Sequence, residues 1–262
     1  MSVITLDNQI VHYEVLGRGR PIIFLHGWIG SWRYWVPTMQ AISVQYRAYA
    51  LDLWGYGDSS KKTDKYGLEA QVELIDQFME YLGISKTALV GHGLGGLIGM
   101  SFALRFPQYV DRLLLTGLPV HAEHINARFR SSTIPELSEW LFGRLPNMDE
   151  VLAEASKTDL QALLLSLDGL HDFDVLENVK NLTSPFLMVY GQNDIVIEPP
   201  DQGVLEGLPE NSHTVIFDQS GHLPMLEESS KFNRLLSDFL NLGSGESPKQ
   251  LQLKEEWKRR IR

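Results

Sequence analysis

The 262-residue chain is long enough for one α/β domain with an insertion and too short for two sizeable enzyme domains. Its 44% hydrophobic content and 22 glycines fit a globular α/β protein with many tight turns, and the absence of cysteine excludes disulfides, thiolate metal sites and a cysteine nucleophile. A formal charge of -10 argues against a nucleic-acid partner, because phosphate contacts need a basic face.

Met1 to Gln9 lacks the basic start and apolar run of a secretory leader, and no stretch of about 18 uninterrupted apolar residues follows. A soluble cytoplasmic protein without a membrane span is therefore expected. Val3 to Leu6 and Ile10 to Val15 read as a short hairpin about Asp7-Asn8, and the apolar run Pro21 to Leu25 suits a buried central strand that ends at His26-Gly27. Tyr46 to Leu51 is the next strand, Tyr66 to Leu82 has helical apolar spacing, and Thr87 to Val90 is another strand. Leu94 to Phe106 reads as a helix stopping before Pro107, and Val110 to Thr116 as a strand. Strands alternating with helices predict an α/β fold with a mostly parallel sheet covered on both faces.

From Leu118 to Thr183 the pattern changes to short helical pieces punctuated by Pro135, Gly143, Pro146 and Gly169. This predicts a helical cap over 118–183, inserted into a core made of 1–117 and 184–242. Strands at Pro185 to Tyr190 and Thr214 to Phe217, then a helix from Met225 to Leu242, complete that core. Residues 243–262 begin with a linker-like Gly-Ser-Gly-Glu-Ser-Pro. Leu253, Trp257 and Ile261 then recur at i, i+4 and i+8, so the tail is either a solvated end or an amphipathic segment that docks on the body or on a partner.

The chemistry centres on Gly91-His92-Gly93-Leu94-Gly95, which follows an apolar strand and opens a helix. Four further segments accompany it in order: Phe24-Leu25-His26-Gly27-Trp28, Asp52-Leu-Trp-Gly55-Tyr-Gly57-Asp-Ser59, Gly191-Gln-Asn-Asp194 with Pro199 beyond, and Gly221-His222-Leu-Pro224-Met-Leu-Glu227. Over about residues 10 to 242 the chain resembles the α/β-hydrolase superfamily. The strand, elbow and helix match G-x-S-x-G except that glycine replaces the central serine. The resemblance implies a hydrolase of small, rather apolar esters, lactones or related carbonyl compounds. His222 would be its base, Asp194 the acid behind the base, Gly93 the vacated nucleophile position, and the amides of Trp28 and Leu94 the oxyanion donors.

These roles also make sense without the family, since an acyl-transfer base needs a carboxylate to fix its tautomer, and backbone amides survive any change of side chain at 93. Structural roles are expected for the other motif residues: steric fit for Gly91, Gly95 and Gly96, loop support for His26, turn capping for Asp52. His92 is not expected to act catalytically. Gly27, Phe129 and Trp140 are candidates for contact with the ligand, although a cap must also build its own core. No metal cluster or nucleotide loop is apparent in the sequence, and no cofactor is expected.

Glycine at 93 leaves three explanations open. The chain is a serine hydrolase, engineered or drifted, that lost its nucleophile; or a natural enzyme in which His222 and Asp194 activate water or deprotonate substrate without covalent attack; or a ligand-binding or scaffold protein. Gly93 cannot supply the elbow aspartate of epoxide hydrolases and haloalkane dehalogenases. Residues 110–189 also lack the tyrosines with which epoxide hydrolases open their substrate.

Overall fold

The fold is organised around one eight-stranded sheet in the order β1-β2-β4-β3-β5-β6-β7-β8. The computed structural model describes residues 2–243 and 245–251. The strands are β1 (Ser2–Leu6), β2 (Gln9–Gly17), β3 (Arg20–Leu25), β4 (Tyr46–Leu51), β5 (Thr87–His92), β6 (Val110–Thr116), β7 (Phe186–Gly191) and β8 (Ser212–Phe217). From β4 through β8 every pairing is parallel, while β1 with β2 and β2 with β4 are antiparallel. The β1–β2 hairpin turns at Asp7 and Asn8, both at positive φ (46° and 58°), as a two-residue turn matched to strand twist requires. The central strands β5 and β7 are buried at every residue, which explains their continuous apolar runs.

The helices are α1 (Val36–Ile42), α2 (Leu68–Leu82), α3 (Leu94–Arg105), α4 (Arg128–Ser131), α5 (Ile134–Phe142), α6 (Asp149–Ala155), α7 (Leu160–Asp168), α8 (Val175–Lys180), α9 (Gln202–Glu206), α10 (Pro224–Glu227) and α11 (Ser229–Leu240). Helix α3 packs on β5, β6 and β3 and is buried over most of its length, consistent with a run that is apolar apart from Ser101 and Arg105. Five helices, α4 to α8, lie between β6 and β7. Among the described residues no helix is long and apolar enough to cross a membrane.

Three elements differ from the sequence reading. Helix α1 is not apparent in it, because its seven residues make only two turns, with Pro37 in the first. The helix expected from Met225 to Leu242 is two helices, broken where Glu228 leaves the helical region (φ -123°, ψ 51°) and its carboxylate takes a hydrogen bond from Ser220 Oγ at 2.6 Å. Beyond α11, the linker-like stretch leads to residues 247–251, which lie against β8: Ser247 Oγ donates to the Glu210 carbonyl, Lys249 pairs with Glu210, and Leu251 is buried. Leu253, Trp257 and Ile261, the amphipathic reading of the tail, fall outside the described residues.

Candidate active site

The parallel strands carry the candidate residues on the loops at their C-terminal ends, where α/β sheets place their ligands. Gly93 stands between β5 and α3 with φ 49° and ψ -111°, a backbone conformation that L side chains rarely adopt. Its N–H donates to the Thr116 carbonyl at 2.9 Å, and the Leu97 N–H returns to its own carbonyl at 3.1 Å. The turn is also squeezed shut: a Cβ at Gly95 would stand 2.3 Å from the Leu25 carbonyl oxygen, so that position is a steric requirement of the helix lying against β3. Gly96 is less constrained, since a Cβ there would stand 3.3 Å from the end of Leu118 and 3.5 Å from the Gly91 carbonyl oxygen.

A Cβ at Gly93 would lie 3.1–3.2 Å from the indole edge of Trp28. That indole is fully buried, donates from Nε1 to Ser166 Oγ on α7 at 3.0 Å, and meets the Phe129 ring edge-on at 6.2 Å. Phe129 in turn meets Trp140 edge-on at 6.3 Å. Trp140 lines surface clefts with Arg128 and Glu136, so it reaches the elbow only through Phe129 and Trp28. Among the described residues, no acceptor pairs with the amides of Trp28 or Leu94.

On the other side of the elbow, His222 Nδ1 lies 2.9 Å from Asp194 Oδ2. Asp194 Oδ1 accepts the amides of Val196 (2.7 Å) and Ile197 (3.0 Å), so the carboxylate has three donors and His222 must carry its proton on Nδ1. Nε2 is thereby left as the basic nitrogen. The spacing Gly-His-x-Pro-x-x-Glu has a physical explanation here. Glu227, one α-helical turn beyond His222, accepts the amides of Gly221 (2.5 Å) and Leu223 (2.9 Å) and clamps the backbone on either side of the histidine.

The supporting residues behave as expected, with additions. His26 is fully buried, donates from Nδ1 to the Gly27 carbonyl (2.8 Å) and accepts the Leu53 amide at Nε2 (3.1 Å); burial lowers its pKa, so it stays neutral. Asp52 does more than cap a turn: it accepts the amides of Trp32 and Asp58 and the Nδ1 proton of His12. Burial opposes charge on His12, but the hydrogen bond and charge of Asp52, with Asp58 and Glu14, raise its pKa overall. His12, Asp52 and Asp58 are close enough to surround a cation, but both Asp52 oxygens already take protein donors, so the group is a hydrogen-bonded turn.

Tyr34 and Ser166 are site neighbours that sequence reasoning missed. Tyr34 is buried between the Gly27 amide, which donates to its hydroxyl at 2.5 Å, and His92 Nδ1 at 3.0 Å. His92 is itself buried against His222, with ring centroids 4.5 Å apart. No local pattern marks either residue, because their partners lie 58 and 138 positions away in the chain.

The fold has counterparts among known proteins. A family profile described as alpha/beta hydrolase fold matches residues 20–159. The chain is 27% identical over 254 residues to a pimeloyl-[acyl-carrier protein] methyl ester esterase of Aliivibrio salmonicida, covering 88% of this chain and 95% of that one. It is 25% identical to an uncharacterized protein of Mycobacterium tuberculosis, over 90% of this chain and 81% of that one. Its fold is similar to a serine-to-glycine mutant of the N-acyl homoserine lactonase AidH crystallised with N-hexanoyl homoserine lactone (TM-score 0.81, 22% identity, 91% and 96% of the two chains). It is also similar to an enol-lactonase from Burkholderia xenovorans LB400 (TM-score 0.78, 20% identity, 92% and 100%).

Proposed function

Since the chain belongs to the α/β-hydrolase fold family, with esterases among its relatives, we propose that it is a serine hydrolase of small ester or lactone substrates whose nucleophile position is occupied by Gly93. The observation that carries this reading is the pair His222–Asp194, hydrogen-bonded at 2.9 Å with the carboxylate held by two further amides, beside an elbow that retains its strained backbone.

With serine at 93, its Oγ attacks the carbonyl carbon while His222 Nε2 takes the proton. The amides of Trp28 and Leu94 receive the negative oxygen, and His222 returns the proton to the leaving alcohol. Water then repeats the sequence on the acyl group. As written, the chain can hold and polarise the carbonyl but cannot form the acyl-enzyme. The aromatic wall of Trp28 and Phe129 suits a small apolar acyl or lactone ring. A carrier-bound ester would bring its carrier against residues 118–183, read as a cap, where eleven acidic residues face five basic ones; this favours a free, uncharged ligand over one on an acidic carrier.

The test is Gly93→Ser. Hydrolysis of short p-nitrophenyl esters or acyl lactones, with labelling by a serine-directed phosphonate, is expected; a folded variant that neither labels nor turns over would overturn the reading. A second reading keeps the unmodified chain active, since the His222–Asp194 base is complete without a serine and could activate water directly. Turnover by the unmodified chain that disappears in His222→Ala would establish it, and ligand binding without turnover in either form would leave a receptor or scaffold.

A further inference from the structure

The buried hydrogen-bond chain beneath the elbow has donor and acceptor directions that can be worked out atom by atom. His92 Nε2 lies 3.2 Å from the His222 carbonyl oxygen. A carbonyl only accepts, so Nε2 carries a proton. On the other side of the ring, Nδ1 faces the Tyr34 hydroxyl at 3.0 Å. That hydroxyl already accepts the Gly27 amide at 2.5 Å, which leaves its own single proton to donate to Nδ1. The chain therefore runs in one direction, from the Gly27 N–H through Tyr34 O–H and His92 Nε2–H to the carbonyl of His222.

Both ends of this chain belong to the site. Gly27 precedes Trp28, whose amide is a proposed oxyanion donor, and the carbonyl at the far end is that of the proposed base. His92 adjoins Gly93. We propose that Tyr34 and His92 are positioning residues that lock the oxyanion loop, the elbow and the base loop into one register, with His92 held as the neutral Nε2–H tautomer. The fit leaves little slack: a Cβ at Gly27 would stand 2.7 Å from His92 Nδ1, and one at Gly117 would stand 3.3 Å from His92 and 3.5 Å from His222. Burial and the neighbouring His222 and His26 hold the His92 pKa well below the ordinary imidazole value, and burial holds the Tyr34 phenol well above its own, so neither side chain in the middle of the chain ionises near neutral pH. A neutral His92 also spares His222 a second positive charge 4.5 Å away when His222 takes up the serine proton.

The tautomer can be tested on the unmodified chain, whereas the effect on turnover rests on the reading of Gly93 as a vacated nucleophile position. Imidazole ¹⁵N spectra of histidine-labelled protein over about pH 5 to 9 should show His92, identified by its loss in His92→Gln, as the Nε2–H tautomer throughout, with His26 as an internal Nδ1–H reference. A His92 carrying its proton on Nδ1, or titrating in that range, would overturn the proposal whether or not Gly93→Ser is active. In the Gly93→Ser background, Tyr34→Phe should lower kcat by about ten- to a hundredfold with KM changed less than about twofold, the mark of misplaced reacting groups. His92→Gln, whose amide can accept from Tyr34 and donate to the His222 carbonyl, should keep more kcat than His92→Leu. Equal kcat in Gln and Leu variants, or a Tyr34→Phe effect confined to KM, would also overturn it. If Tyr34→Phe fails to fold, the His92 pair and the spectrum of the unmodified chain still decide.

Discussion

The base side and the elbow side of the site are built by different forces. Asp194 and His222 are held by side-chain hydrogen bonds, so their geometry depends on which residues are present at 194, 222 and 227. The elbow is held by backbone hydrogen bonds and by close contact at Gly95, so its geometry depends far less on the side chain at 93 than on the absence of one at 95. The side chain at 93 can therefore change while the site largely keeps its shape, whereas loss of the Asp194 carboxylate would remove the acceptor that orients His222.

The largest expected effect restores the missing half. Gly93→Ser should raise esterase turnover by about 10⁵-fold or more, because the reverse change in serine hydrolases costs about a millionfold. Steady-state assay with p-nitrophenyl acetate and butyrate measures it. Breaking the base side should nearly cancel that gain: Asp194→Asn in the Gly93→Ser background should lower kcat by about 10⁴ through the wrong imidazole tautomer, with Tm changed little. A Tm collapse in place of a kcat loss would mean that the carboxylate serves the fold.

The elbow should fail in the opposite way. Gly95→Ala should cost more than about 3 kcal/mol or prevent folding, since its methyl would meet the Leu25 carbonyl at 2.3 Å where neither backbone can yield. Gly93→Ser should cost only about 1–3 kcal/mol, from the strained φ and the tight approach to Trp28. Denaturant unfolding of the two variants ranks them.

The smallest effect is on pH. His26, His92 and His213 have folded pKa values lowered chiefly by burial, so the unfolded chain binds protons that the folded chain refuses as pH falls below the ordinary imidazole value near 6.5. The stability gained by keeping them neutral is present above that pH and lost below it. His12, whose folded pKa is raised, opposes the trend by adding stability below its unfolded pKa that disappears as pH rises through the folded one. A net fall in Tm of a few degrees from pH 7 to 5 is expected, and a flat profile would show His12 compensating the other three.

These contrasts also explain what was legible in the sequence. The sheet could be read because its central strands are continuous apolar runs, and the Asp194–His222 pair because its motifs encode local partners: the amides two and three residues after Asp194, which donate to it, and Glu227 five residues after His222, which accepts the amides on either side of the histidine. The elbow could be read for a steric reason, since only glycine fits at 95. Tyr34 and Ser166 could not be read, because a phenol and a hydroxyl acquire their roles only when the fold brings a distant imidazole or indole to them. Helix α1 escaped because seven residues are too few for a periodic pattern, and the break at Glu228 because a single carboxylate turning toward Ser220 leaves no trace in hydrophobic spacing.

The order of the strands has a consequence for the nascent chain. The first six strands fill positions one to six of the sheet, so β6 is their open edge, and Leu113, Leu114 and Leu115 on it are fully buried only in the finished protein. Its partner β7 follows after the 69 residues from 117 to 185. At about 5–20 residues per second, a ribosome leaves that leucine-rich edge unpaired for roughly 3 to 14 s. During that interval the helical segment is the only later part of the chain available to shield it. Shortening that segment would speed the arrival of β7 but remove the shield, so expression yield should respond to its length in a way that equilibrium stability does not.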